Sequence, residues 1–186
     1  MKPYHSFKND EIMLWDKLEK FTRDDSVGFV HDITEGLTDL HKEADIIYSE
    51  PSWLDGYAEF ANRGTIKVGN YKAYLRAFNE IIAFGVPVVL IIGKHHLKTL
   101  PQPSSLLNVT MNGSNETAYG WGLDIAESKS KSTDQLIKWL SSKFDCVADP
   151  CCGYGNTGLI FRENGKRFIM SDISSKLIAY IAKQTI

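Results

Sequence analysis

Val86-Pro87-Val88-Val89-Leu90-Ile91-Ile92 is a continuous apolar run, rich in β-branched residues and closed by Gly93. Seven residues are too few to span a bilayer and suit a strand. With no polar alternation, such a strand needs cover on both faces, as in a parallel sheet flanked by helices. The rest of the sequence is compatible with that demand. Tyr71 to Phe84 has helical periodicity ahead of a Gly85 cap, and Ala44-Asp45-Ile46-Ile47-Tyr48 reads as a second buried strand that Pro51 stops.

Further runs fill in the alternation. Phe29-Val30 is a short strand leading into His31-Asp32, and Thr34 to His41 is predicted to be a short helix. Phe144 to Ala148 and Arg167 to Ser171 are strands, each followed by a helix, the last one capped by Ser174. Ser132-Thr133-Asp134-Gln135 has capping-box spacing ahead of Leu136, Ile137 and Leu140. Leu106 to Met111 and Thr117 to Ile125 are predicted strands around the hairpin signal Asn112-Gly113. Asn9 or Asp10 would cap a helix carrying Ile12, Trp15, Leu18 and Phe21, and Leu54 to Asn70 reads as a loop. The expectation is an α/β fold: a mostly parallel sheet with an antiparallel edge hairpin and helices on both faces.

At 186 residues and 43% hydrophobic, the chain suits one domain over 1–186. Its formal net charge of -2 excludes a generic basic nucleic-acid binder, so any nucleic-acid contact must be a local patch. Cys146, Cys151 and Cys152 form no Cys-x-x-Cys pair, which argues against a disulfide framework or a zinc site. His95-His96 lack further ligands at sensible spacing, and no metal is expected. The first residues show no signal-like run, so a cytoplasmic setting without membrane contact is expected.

Polar clusters follow four of the predicted strands, at Asp32, Glu50, Gly153 and Asp172. In open parallel sheets ligands bind at those carboxyl ends. Gly153 and Gly155 stand between a strand and a helix, where glycine lets a ligand approach the backbone. Asp172 closes the next strand, where an acid can accept both hydroxyls of a ribose. Together they favour an adenosine-containing ligand. Turn chemistry at the glycines and a surface N-cap role for Asp172 are the plainer alternatives.

The segment FDCVADPCCGYGNTG, 144–158, resembles the "LDPFCGSGTT" cofactor motif of amino-DNA methyltransferases, and RFIMSDIS, 167–174, resembles the "FIGIDIS" strand that follows it. Lys129-Ser130-Lys131-Ser132 is similar to their "QKP-x-x-L" element, ADIIYSEPSW, 44–53, to their "DLIITDPPY" motif, and His31-Asp32 to their "GD" element. With the catalytic motif first, the chain resembles the beta-type permutation of that family, from about residue 28 onward. The resemblance implies a Rossmann-like class I methyltransferase fold and S-adenosylmethionine as cofactor, held by Asp32, Lys131, Asp149, Pro150, Cys151, Gly153, Gly155, Thr157 and Asp172. It implies a catalytic motif at 45–53, with Glu50, Pro51, Ser52 and Trp53 at the target and the exocyclic amine of adenine in DNA as acceptor. Two positions depart from the pattern: Glu50 replaces a shorter Asp, Asn or Ser, and Ser52 replaces the second proline. A degenerate, inactive cofactor- or partner-binding protein, or a methyltransferase of cytosine, RNA or protein, are the other readings.

Arg63, Lys67, Lys72 and Arg76 interleave with Tyr71 and Tyr74, and Lys94 follows the apolar strand. Such a basic, aromatic surface suits phosphates and bases, though an ordinary solvated face has the same composition. Permuted members of the family it resembles carry a target-recognition region between the hairpin strands and the cofactor motif, and here that interval is too short for a folded module, so no separate target-recognition domain is expected. Specificity is then low or short, or comes from a homodimer or another partner.

Overall fold

The computed structural model describes residues 16–51 and 71–185, apart from the side chain of residue 95. Eight strands form one sheet: β1 (Lys20–Arg23), β2 (Ser26–Val30), β3 (Ile46–Ser49), β4 (Val88–Ile91), β5 (Ser105–Met111), β6 (Ser114–Trp121), β7 (Cys146–Asp149) and β8 (Arg167–Asp172). Their order across the sheet is β1-β2-β8-β7-β3-β4-β6-β5. The five central strands, from β2 to β4, run parallel. Both edges are antiparallel: the β5–β6 hairpin beyond β4, and β1 beside β2. The hairpin agrees with the Asn112-Gly113 signal, and both turn residues have positive φ.

Helices α1 (Tyr71–Ala83), α2 (Thr133–Ser141), α3 (Asn156–Glu163) and α4 (Ser175–Gln184) cover the sheet. Alternation along each strand divides the core into two layers. Ile47, Val88, Leu90, Ala148 and Ile169 pack with Tyr74, Ala77, Phe78 and Ile81 of α1. Ile46, Tyr48, Val89, Val147, Phe168 and Met170 pack with Leu136, Ile137, Ile160, Phe161, Ile178 and Ile181 of the other three helices. The apolar strand at β4 is thus buried on both sides, with Val88, Val89 and Leu90 fully inaccessible.

Several elements differ from the sequence expectation. Phe21 lies on β1, not on a helix. Its ring fills the space over Gly28, where an added Cβ would come within 2.2 Å of it. Ile12 and Trp15 lie outside the described residues. Thr34 to His41 is not a continuous helix: a 3-10 turn at Ile33–Glu35, capped by the Asp32 carboxylate, closes at Gly36, and a second occupies His41–Glu43. β6 ends at Trp121, and Ile125 starts another 3-10 turn. Ser132 caps α2 as expected, but Gln135 reaches back to the Lys131 amide, one residue before the cap. Ser174 begins α4 without a side-chain cap bond, and its own amide is taken by Asp172. The loop expected at 54–70 lies outside the described residues. Among the described residues no helix is long and apolar enough to cross a membrane.

Candidate active site

The parallel strands present their carboxyl ends along one edge of the sheet. Val30 pairs with Asp172, Met170 with Asp149, Ile47 with Ala148, and Ser49 with Leu90. Asp32, Asp172, the turn after Asp149, Glu50 and Lys94 therefore follow one another across that edge. With strands about 4.8 Å apart, the Asp172 and Glu50 positions, two strands from each other, stand on the order of 10 Å apart.

Asp149 anchors the centre from below. It is 3% exposed. Its Oδ1 accepts from Ser49 Oγ at 2.9 Å and from the Cys151 amide at 3.2 Å, and its Oδ2 accepts from Thr157 Oγ1 at 2.8 Å. One carboxyl group thus joins β3, β7 and α3. Burial pushes its pKa up to about 7; the bonds from Thr157 and Ser49 oppose that rise, and the neighbouring Glu50 charge adds to it.

The two glycines of the 150–155 turn have different surroundings. Both have positive φ, 51° at Gly153 and 79° at Gly155. A Cβ on Gly155 would stand 2.7 Å from Ile181 Cγ1, so this glycine is required by the packing of α4. A Cβ on Gly153 would meet nothing within 4 Å among the described residues. Gly153 therefore leaves backbone open to space, and its amide donates to Asp172 Oδ2 at 3.0 Å. The other oxygen, Oδ1, takes the Ser174 amide at 2.9 Å. Burial raises Asp172 to about 6, against the lowering effect of these two amides. Asp32 caps its 3-10 turn by accepting from the Thr34 amide at 2.9 Å, and the preceding His31 amide donates to the Asp172 carbonyl at 3.0 Å.

A buried polar chain supports the turn. His41 is fully buried; its Nδ1 accepts from the Thr38 amide at 3.1 Å, which leaves Nε2 to donate to Ser171 Oγ at 2.9 Å. Ser171 Oγ in turn lies 3.4 Å from the Pro150 carbonyl it donates to. Desolvation, assisted by the His31 ring, lowers His41 to about 3, so the imidazole is neutral.

Glu50 follows β3. One of its carboxylate oxygens accepts from the hydroxyl of Tyr48, a fully buried residue. Burial raises the Glu50 pKa; the Tyr48 bond lowers it, and Asp134 and Glu116 raise it further. Pro51 is buried, and the expected partners Ser52 and Trp53 lie outside the described residues. The Cys151 thiol lies within reach of Tyr74 and Ser49, and burial drives it well above the ordinary thiol range. Tyr74 packs edge-on against Phe78 and stacks with Tyr71, whose hydroxyl lies 3.2 Å from His96 Nδ1.

Of the cofactor residues expected from the sequence, Asp32, Pro150, Cys151, Gly153 and Asp172 come together around the turn. Asp149 and Thr157 lie beneath it and face inward. Lys131 stands at the start of α2, exposed, with its carbonyl accepting from the Thr110 amide at 2.8 Å. Among the basic residues, Lys72 and Lys94 are exposed near the carboxyl edge, at the start of α1 and just past β4. Arg76 forms a surface ion pair with Glu80 at 3.8 Å. Arg63 and Lys67 lie outside the described residues. Tyr48, Ser49, His41 and Ser171 are the site's supporting residues that sequence reading missed; only their adjacency to Glu50, Asp172 or a strand end could have marked them.

Neither a family model nor a curated protein matches the sequence. Solved structures do match its fold. M1.HpyAVI, solved in complex with SAM, aligns with a TM-score of 0.56 at 14% identity, over 84% of this chain and 97% of that one. TTHA0409 of Thermus thermophilus, assigned as a DNA modification methylase and solved in complex with S-adenosyl-L-methionine, aligns with a TM-score of 0.56 at 11% identity, over 84% and 92% of the two chains. The chain therefore has the Rossmann-like fold of methyltransferases, as its sequence motifs implied.

Proposed function

We propose that this chain is an S-adenosylmethionine-dependent methyltransferase acting on the exocyclic amine of adenine in DNA. The observation that carries this reading is the single edge on which the open backbone at Gly153, the Asp172 carboxylate and, two strands away, the Glu50 carboxylate stand. The acceptors at Asp172 and Asp32 fit a nucleoside. Asp172, with its carboxylate beside the glycine turn, would accept from ribose hydroxyls, and Asp32 would accept from the adenine amine of the cofactor. Gly153 would let the ligand lie against the backbone. The solved structures of similar fold, both with the same ligand bound, support this choice.

Bound S-adenosylmethionine would supply a sulfonium methyl group. The lone pair of a base amine is delocalised into its ring, so the protein must draw it out. The Glu50 carboxylate and the Pro51 carbonyl would accept from the two amine hydrogens, favouring a pyramidal nitrogen and stabilising its growing positive charge. The Glu50 carboxylate would also take the proton that the amine sheds once it is methylated. Trp53 would stack on the flipped base, and Lys72 and Lys94 would meet phosphates. A cytoplasmic setting goes with this reading: all three cysteines are unpaired.

The test is transfer of labelled methyl from S-adenosylmethionine to unmethylated DNA, with RNA in parallel. Label is expected in N6-methyl-2′-deoxyadenosine of DNA, and Glu50→Ala should abolish it while cofactor affinity by calorimetry stays near normal. Equal loss of both in Glu50→Ala would refute the division of roles. Label in cytosine, RNA or protein would reassign the acceptor. Cofactor binding without transfer would leave a degenerate binding protein.

A further inference from the structure

A buried tyrosine hydroxyl needs a hydrogen-bond partner. Tyr48 is fully buried in the layer beneath α2 to α4, and its hydroxyl donates to Glu50. The two residues are i and i+2 at the end of β3, where alternation turns both side chains to the same face. Glutamate is long and loses much rotamer freedom when fixed. Asp134 and Glu116 add like charge that pushes against a carboxylate here. Among the described residues no backbone group bonds the Glu50 carboxylate. The Tyr48 hydroxyl does hold it, by one oxygen, which leaves the other for a substrate.

At this strand end Tyr48 stands where the "DLIITDPPY" pattern it resembles has an apolar residue, two before the acid, and that acid is here the longer Glu50. We propose that Tyr48 is the positioning residue for the carboxylate that receives the substrate amine, and that Tyr48 and Glu50 work as one unit in which the buried hydroxyl sets the reach of the longer acid. This rests on the methyltransferase reading above. A shorter acid beside Tyr48 cannot both satisfy the hydroxyl and reach outward. Removing the hydroxyl frees a shorter acid to do so.

The test uses the whole chain with Tyr48→Phe, Glu50→Asp and the double variant. Each single change should lower kcat on the order of 10- to 100-fold, the cost of a misplaced reacting group, with the cofactor KM unchanged within about twofold. The double variant should recover much of the loss, so the two effects should be far from additive. Carbon-13 titration of the Glu50 carboxyl gives a readout independent of turnover: Tyr48→Phe should raise its pKa, because the lost bond favoured the charged form. Unchanged kcat in Tyr48→Phe, or additive losses, would overturn the positioning role. An unchanged titration would overturn the pairing itself. A wild-type chain that transfers no methyl would instead retire the methyltransferase reading and the positioning role with it, while the titration would still decide the pairing.

Discussion

Gly153 and Gly155 share a turn and a left-handed backbone, yet the structure gives them separate tasks. Alanine at Gly155 meets both the backbone penalty and the stiff, buried Ile181, so Gly155→Ala should cost about 2–4 kcal/mol of stability. Gly153→Ala has open space around its Cβ and should cost only about 1–2 kcal/mol, the backbone term alone. Its larger effect should fall on cofactor affinity, since the new methyl occupies the space proposed for the ligand. Chemical denaturation and calorimetry on both variants check this, and a Gly153→Ala protein that binds as the wild type would count against the open backbone as a ligand surface. These glycines, Asp172 and Glu50 were legible in the sequence because each is marked by its position just after a strand. Ser49 and His41 were not, because their partners, Asp149 and Ser171, lie 100 and 130 residues away. Local pattern carries no trace of a side-chain bond that only the sheet brings together.

At the scale of elements, periodicity identified the central strands and most of the helices, since a two-sided apolar strand has few other ways to be buried. It failed where tertiary contacts overrode it. Phe21 lies at helical spacing from Leu18, but the gap over Gly28 takes its ring into the sheet. Thr34 to His41 is expected from the sequence to be a short helix, but the capped turn from Asp32 closes at Gly36, and Leu37 and Leu40 pack against the core from irregular backbone. This irregular segment is held by His41, which links it to β8. Its folded-state pKa, about 3, is below the ordinary histidine value of 6.5. Between these values the unfolded chain binds the proton and the folded chain does not, so the His41 contribution makes stability rise with pH and fall on acidification. Asp149 and Asp172 act the other way: raised to about 7 and about 6, they favour the folded state at low pH and lose that contribution as pH rises through those values. Subtracting a His41→Gln variant isolates the histidine. The stability difference between the two proteins should change by about 1.4 kcal/mol per pH unit across that window. A pH-independent difference in urea melts would show that His41 does not titrate in this way.

For the molecule as a whole, the net charge of -2 leaves no general attraction for nucleic acid, so any such affinity rests on a few cations near the carboxyl edge. Lys72 and Lys94 are exposed there, whereas Arg76 is shared with Glu80. DNA affinity should therefore fall with salt by a shallow logarithmic slope, and Lys72→Ala and Lys94→Ala should each reduce that slope by about 1, with little change among DNA sequences. Fluorescence anisotropy at several salt concentrations measures it, and a slope untouched by either change would move the nucleic-acid path elsewhere on the surface.

The free cysteines of the central turn bear on a hazard that comes with holding an alkylating agent. A sulfonium methyl donor can be consumed by any strong nucleophile close to it, and a thiolate is among the strongest a protein possesses. Cys151 and Cys152 stand in the turn proposed to hold that donor, and burial together with the nearby aspartates raises both thiols well above their ordinary range. At neutral pH they remain protonated. A turn of this composition can keep its methyl donor for the substrate without inactivating itself by self-alkylation.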